Sequence, residues 1–252
     1  MKARLYGLPG SHPTMAVQAM LEQKGMDFRR IDLVPFVSRI IVRRAMGLSQ
    51  NTVPVLAIDG HRVQGSREIS RELDRLRPEP PLFPDDPEKR LAVEEAERWG
   101  EDELQHPIRQ VALWATHTNP ASLRSYMEGS RTGVPVGIGA RLAPPFIAAG
   151  VRVNGATEEA VRANLAGFDS LLQRVDEWID AGVLDGEQLN AADFQIGASV
   201  RLLLTLQDLR PLIENRPACC LARRAVPVYP GDTPPLIPST WLEPLRSATA
   251  SV

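Results

Sequence analysis

The spacing of apolar residues in the first eighty positions alternates between the period of strands and the period of helices. Strands are predicted over residues 3–7, 28–33, 55–58 and 61–63. Helices are predicted between Ser11 and Gly25, over residues 38–46 and over residues 66–76. The order β-α-β-α-β-β-α predicts a sheet whose first two strands are parallel and joined by a right-handed crossover.

The chain changes character after this unit. Residues 78–87 are rich in proline, which is typical of an interdomain linker. Helical spacing then predicts helices over residues 87–117, 157–181 and 191–206. Pro107 predicts a kink or break within the first of them. We therefore expect a β/α domain over residues 1–77 and an all-helical domain over residues 88–252.

Two segments of the second domain lack a regular pattern. Glycine and proline interrupt the apolar residues of 130–156, and we expect one helix with irregular ends, lying over the active-site cleft. The segment Pro227–Pro244 holds six prolines, which excludes a regular helix along it. We expect this tail to wrap over the helical domain, with Tyr229 and Trp241 as anchors.

Composition narrows the class of protein. A net charge of -2 and an isoelectric point near 6.1 give no electrostatic case for nucleic acid. Almost all positive charge is arginine, a bias that is typical of a GC-rich bacterial genome. The start of the chain has no apolar signal core and no window is apolar enough to span a membrane, so we expect a cytoplasmic protein.

The cysteines and histidines predict neither a disulfide framework nor a metal site. Cys219 and Cys220 are adjacent, and neighbouring cysteines rarely bridge each other. The three histidines beyond the first helix, which show no metal-ligand spacing with one another or with the cysteines, are His61, His106 and His117. We therefore expect no metal.

The densest functional signal is the run from Asn51 to Ile69. A proline at the entrance of a strand is unusual, and a cis Val53–Pro54 bond is one explanation for it. That bond would expose the backbone of Val53, with which a peptide-like ligand can pair as an extra strand. Ser66 would present a hydroxyl and a backbone N–H at a helix N-terminus, where a carboxylate binds well. Together these features predict a pocket for a small peptide with a free carboxylate.

This Val-Pro strand and Ser-x-x-Ile helix start resemble the glutathione-binding half of the glutathione S-transferase family. The resemblance implies a thioredoxin-like α/β N-terminal domain followed by an all-α domain. It also implies that Val53, Pro54, Gln64 and Ser66 bind glutathione. The family has Glu or Asp before the serine to receive the ligand's amino group, and this chain has Gly65 there. Arg39 and Arg43 are candidates to meet the glycyl carboxylate.

Ser11 is the candidate catalytic residue. A serine before a helix is most often an N-cap. A hydroxyl there can also donate to a thiolate, and with the helix dipole it lowers a thiol pKa from its reference of about 8.5. The run Leu5–Ser11 resembles the serine-type transferases of the theta and zeta classes. Tyr6 is a rival, because other classes use a tyrosine near the end of the first strand.

Two neighbours of Ser11 modify this hypothesis. His12 is expected to be a surface or capping residue that tunes the site. Thr14 and Ser11 stand where glutaredoxin-like relatives use cysteine, so thiol–disulfide exchange is not expected.

Asn190 and Asp193 form a predicted capping box. Asn190 is a good N-cap, Asp193 three residues later can accept from the cap's backbone N–H, and Leu189 and Phe194 are placed for a hydrophobic staple. Transferases carry a very similar box in the core of the helical domain. This box is therefore assigned a structural role.

Three functions stay open at this point. The first is an enzyme that conjugates a small thiol, glutathione or an analogue, to an apolar electrophile. The second is a zeta-type, glutathione-dependent isomerase. The third is a transferase-fold protein without catalysis, used for binding or assembly. The resemblance also implies a homodimer.

Overall fold

The computed structural model describes residues 3–34 and 52–249. Its sheet has the strand order β2-β1-β3-β4, built from β1 (Ala3–Gly7), β2 (Phe28–Asp32), β3 (Val55–Ile58) and β4 (His61–Gln64). Strands β1 and β2 are parallel, and the other pairs are antiparallel. Asp59 and Gly60 have φ values of 46° and 89°, as the predicted tight hairpin turn requires.

Two helices flank this sheet, α1 (His12–Gln23) and α2 (Ser66–Leu76). Fully buried Leu5 and Leu56 from the strands share one core with Met20 of α1 and Leu73 of α2. The predicted thioredoxin-like plan is thus confirmed. The predicted helix over 38–46, with Arg39 and Arg43, lies outside the described residues.

The described residues after α2 are mainly helical, as predicted. Its α-helices, in chain order, are α3 (Pro87–Trp99), α4 (Gln105–Thr118), α5 (Leu123–Tyr126), α6 (Val136–Leu142), α7 (Pro144–Asn154), α8 (Glu158–Asp180), α9 (Ala191–Leu203), α10 (Arg210–Ile213), α11 (Pro217–Ala225) and α12 (Glu243–Thr249). Helix α9 is central, and each of its residues except Arg201 is buried. It packs against α1 of the sheet unit and against α11, where a Cβ at Gly197 would lie 2.9 Å from the Ala225 Cβ.

The predicted helix over 87–117 is interrupted upstream of its proline. A π-helical turn, Gly100–Leu104, separates α3 from α4, and Pro107 lies in the first turn of α4. Proline lacks an N–H and clashes with the carbonyl four residues before it, which here belongs to Glu103 in the π turn. A wider turn at that point relieves the clash. Gly100 allows the turn to approach α9, because a Cβ there would lie 2.9 Å from Ile196 Cγ1.

The prediction of one helix within 130–156 is wrong, because the segment forms two helices, α6 and α7. Pro144 starts the second one and cannot continue the first without a break. No residue of either helix is buried. Within the described ranges, no single helix is long and apolar enough to cross a membrane. Helices α6 and α7 reach that length and hydropathy only when they are counted together, and the pair is bent by 51°.

The proline-rich tail wraps over the helical half, and both predicted anchors are used. The hydroxyl of Tyr229 donates to the Gly10 carbonyl over 2.8 Å, and the ring of Trp241 packs on Trp114 with centroids 5.4 Å apart. Thr233 forms an isolated parallel bridge with Leu206. Helix α12, which was not predicted, begins within the last two residues of the tail.

The predicted linker, residues 78–87, is packed against both halves. The Asp74 carboxylate accepts from the Leu82 N–H over 2.8 Å and forms a salt bridge with buried Lys24 at 2.7 Å. The Leu82 carbonyl accepts from the Ala191 N–H at the start of α9 over 2.9 Å. The division into domains over 1–77 and 88–252 stays a prediction.

Candidate active site

The topology brings three predicted site segments to one edge of the sheet. The chain leaves β1 at this edge and reaches Ser11. Strand β3 is antiparallel to β1, so Val53 and Pro54 precede it at the same edge. Strand β4 returns antiparallel to β3 and ends there before Ser66.

Ser11 is the half-buried N-cap of α1, with extended backbone angles of φ -74° and ψ 115°. Its carbonyl accepts from the Met15 N–H over 2.9 Å. Its hydroxyl makes no capping hydrogen bond to the helix. The backbone position agrees with the N-cap prediction, but the side chain does not cap. Among the described residues this hydroxyl has no hydrogen-bond partner, and it lies at the positive end of a helix dipole.

His12 is buried, contrary to the expectation of a surface or capping residue. Its side chain points from the first turn of α1 into α9, where Nδ1 lies 3.0 Å from Ser199 Oγ. Its Nε2 is buried and has no hydrogen-bond partner among the described residues. Burial, and then the charge of Arg109, hold the pKa of His12 well below its usual value. The imidazole is therefore neutral and links the two halves.

Tyr6 points away from the core that α1 covers. It is half-buried in a small apolar cluster with Leu33, Val55, Leu8 and Val53. Such packing of the Tyr6 ring is typical of a strand residue with a structural role.

The Val53–Pro54 peptide bond is cis, as predicted. The Pro54 carbonyl accepts from the Gly65 N–H over 3.1 Å. Within the described part of the chain, the backbone of Val53 makes no hydrogen bond. The side chain of Gln64 donates to the Thr52 carbonyl over 2.7 Å and so supports this segment.

Ser66 is the first residue of α2, with only 2% of its surface exposed. Gly65 precedes it as the N-cap with φ 95°, a conformation that favours glycine. No described residue hydrogen-bonds to the Ser66 hydroxyl. A hydroxyl and free N–H groups in the first turn of a helix are donors suited to a carboxylate.

Glu68 was missed by the sequence analysis. A Cβ at Gly65 would overlap Glu68 Oε2, so this carboxylate lies almost where a side chain at position 65 would begin. Glu68 is exposed and occupies the third position of α2. A glutamate at that position commonly turns back toward the N-cap, which is the signal that could have found it.

A polar network joins α2 to the helical half next to this carboxylate. Glu97 of α3 is fully buried, accepts from Ser70 Oγ over 2.7 Å and pairs with Arg71 at 2.5 Å. Burial raises the pKa of Glu97, and the charge of Arg71 opposes that shift. The Nε of Arg67 lies 3.7 Å from Glu101 Oε2 of the π turn.

Two further polar residues face this interface without a full set of partners. Arg109 donates to Gln105 Oε1 over 2.8 Å and has no carboxylate within salt-bridge distance among the described residues. Burial lowers the pKa of Arg109, and the charge of Glu101 counters this. Gln195 of α9 is buried, and neither of its amide atoms has a partner among the described residues.

The predicted capping box is present at the start of α9. Asn190 Oδ1 accepts from the N–H groups of Ala192 and Asp193 over 2.9 and 3.2 Å. Asp193 Oδ2 accepts from the Asn190 N–H over 2.8 Å, and Oδ1 accepts from the Asp185 N–H over 2.8 Å. Burial raises the pKa of Asp193 to about 6, against the effect of these N–H groups.

The cysteines are free thiols, with Cys219 buried and Cys220 exposed. Burial raises the pKa of Cys219 to about 12, which makes it an inert core residue. No cluster of three or more His, Cys, Asp or Glu side chains in the described ranges has the arrangement of a metal site.

Comparisons with known proteins concern the fold that carries this site. Residues 5–81 match the family model described as Glutathione S-transferase, N-terminal domain. No curated protein sequence matches the chain significantly.

Solved glutathione transferases are similar in fold over nearly the whole chain. One from Rhodospirillum rubrum is 17% identical, with 96% of this chain and 99% of that chain covered and a TM-score of 0.56. A theta class enzyme from Xanthomonas axonopodis pv. citri, with glutathione bound, is 17% identical, with 90% and 97% covered and a TM-score of 0.57. The beta-etherase LigF from a Sphingobium strain is 19% identical, with 89% and 99% covered and a TM-score of 0.57. Residues 5–81 thus match the N-terminal domain of the glutathione S-transferase family, and the chain as a whole has the glutathione S-transferase fold.

Proposed function

We propose that the protein is a glutathione transferase-like enzyme that joins a small thiol, glutathione or an analogue, to an apolar electrophile. The observation that carries the proposal is the hydroxyl of Ser11, which lies at the N-terminus of α1 and makes no capping hydrogen bond. It lies at the same sheet edge as Val53 and Ser66. The match of residues 5–81 to the glutathione S-transferase N-terminal domain and the glutathione bound to the Xanthomonas neighbour support glutathione as the thiol.

The thiol would lie with its sulfur near Ser11. The hydroxyl donates a hydrogen bond to the sulfur and the α1 dipole adds positive potential, so the thiol loses its proton to solvent at neutral pH. The sulfur electron pair then forms the new bond to the electrophile, whose leaving group or π-bond takes the displaced electrons. Positioning and thiolate stabilisation thus carry the reaction, and Tyr6 stays outside it.

The peptide part of the thiol would use the other two segments. The backbone of Val53, next to Pro54, pairs with the cysteinyl unit. The γ-glutamyl carboxylate binds the Ser66 hydroxyl and the N-terminus of α2. Glu68 receives the γ-glutamyl amino group in place of the acid that is absent at Gly65. Gln64 supports the segment through Thr52.

Calorimetric titration with glutathione tests this site directly. We expect saturable binding by the wild-type protein, and binding about tenfold weaker or lost in Ser66→Ala, because a charge-assisted hydrogen bond is removed. Ser170→Ala is the matched control, since Ser170 is exposed on α8, in the helical half of the chain. Equal affinity in Ser66→Ala and in the control would refute the assignment of the carboxylate site.

A conjugation assay with apolar electrophiles separates the alternative of a fold used only for binding or assembly. Glutathione binding without conjugation of any electrophile would favour that alternative. No described contact specifically favours the zeta-type isomerase. A homodimer and a cytoplasmic location stay predictions, the first to be tested by light scattering of the purified protein.

A further inference from the structure

A pocket of about 250 Å³ lies beyond the C-terminal end of α9, outside the thiol site. Three arginines line it, Arg201, Arg210 and Arg223, which come from α9, α10 and α11. Tyr229 and Gly231 of the tail close the other side. The volume suits a small ion or the terminal group of a larger ligand.

Backbone carbonyls hold the three guanidinium groups in place. Arg201 donates through Nε to the Val226 carbonyl over 2.9 Å, and Arg210 donates through Nε to the Leu204 carbonyl over 3.0 Å. Arg223 donates through Nη1 to a carbonyl on the loop before α11, that of Glu214, over 2.9 Å. Guanidinium groups have five N–H donors each, so donors remain after these bonds. The remaining donors belong to side chains that are already oriented.

Positive charge in the pocket is not fully balanced. Asp232 pairs with Arg210 at 2.7 Å, and Glu214 pairs with Arg223 at 3.5 Å. Arg201 forms no salt bridge with any described carboxylate. Burial lowers the pKa of Arg201, and the charge of Arg223 lowers it further. A partly buried arginine next to two others is the usual setting for an oxyanion.

We propose that this pocket binds a small oxyanion of the phosphate type, free or as the terminal group of a larger molecule. The oxygens accept from Arg201 and from the remaining donors of Arg210 and Arg223. Tyr229 lines the pocket and donates to the Gly10 carbonyl, one residue before Ser11. The oxyanion site therefore adjoins the loop that carries the candidate catalytic serine, but it shares no residue with the thiol site.

Calorimetric titration with inorganic phosphate, at constant ionic strength set with chloride and without any thiol, tests the proposal. We expect saturable binding of one phosphate per chain, and binding about tenfold weaker or more in Arg201→Gln. Arg174→Gln is the matched control, since Arg174 is an exposed arginine on α8 with an i,i+3 partner. A parallel titration with glycerol phosphate separates a free ion from the terminal group of a larger ligand, according to which binds tighter.

Arg201 also anchors the tail, so Arg223→Gln serves as a second variant if Arg201→Gln fails to fold. Both bonds of Arg223 to Glu214 lie at an exposed edge, and the same loss of phosphate affinity is expected. Absence of saturable phosphate and glycerol phosphate binding in the wild-type protein would overturn the proposal. Equal phosphate affinity in Arg174→Gln and in the pocket variants would do so as well. Neither result depends on thiol binding.

Discussion

Replacing Asp193 tests how the helical half is held together. Its carboxylate is fully buried and accepts from two backbone N–H groups, those of Asn190 and Asp185. Asp193→Ala leaves both donors without their partner, at about 1–3 kcal/mol each for a buried group. The expected loss is therefore about 2–6 kcal/mol, a large share of the roughly 5–15 kcal/mol that stabilises a typical domain.

The pH dependence of this loss has a definite sign. Burial raises the pKa of Asp193 to about 6 in the folded protein, above the ordinary value of 3.8. Between these values the folded chain holds a proton that the unfolded chain releases. The stability that Asp193 contributes is thus full below the ordinary pKa and falls as the pH rises through about 6. The difference between wild type and Asp193→Ala is expected to be larger at pH 5 than at pH 8.

Urea unfolding followed by circular dichroism at both pH values measures the effect. Asp180→Ala is the control, since Asp180 is exposed at the end of α8, and its change is expected to stay within about 0.5 kcal/mol. Asp193→Asn, which keeps one acceptor oxygen, should fall between the two. A loss below 1 kcal/mol in Asp193→Ala, or a difference that grows toward pH 8, would refute the reasoning.

Three further predictions concern the interface around α2. Glu68→Gln should weaken glutathione binding about tenfold by calorimetry, because the charge facing the amino group is lost, whereas exposed Glu95→Gln should not. Arg71→Ala should lower the free energy of unfolding by about 1.5–3 kcal/mol, because fully buried Glu97 loses a hydrogen bond from its closest cation; a neutral result in urea melts would contradict this. Gly65→Ala should lower thermal stability by about 1–2 kcal/mol at φ 95° and displace Glu68, and unchanged melting would show that the turn adapts freely.

Local features of the fold followed from the sequence. Alternating strands, the turn at Gly60 and the Asn190 capping box each depend on residues a few positions apart, and all are present. Local chemistry also placed Ser11 and Ser66 at helix N-termini. Such features are predictable because their partners lie within the same element or turn.

The missed features depend on partners that are distant in the chain. His12 is buried because α9 packs on α1, and its partner Ser199 is 187 positions away. The π turn at Gly100 combines a downstream proline with close packing on Ile196. No sequence motif marks Arg109, because only the docking of the two halves brings this residue to the interface.

The pH titration of bound glutathione, followed by ultraviolet absorbance of the thiolate, tests the central claim most directly. In the wild-type protein the pKa of the bound thiol is expected to lie well below its reference of about 8.5. In Ser11→Ala, with glutathione still bound through Ser66, that pKa should return toward the reference and conjugation should slow in proportion. An equal thiol pKa in the two proteins, at saturating glutathione, would contradict the assignment of Ser11 as the residue that stabilises the thiolate.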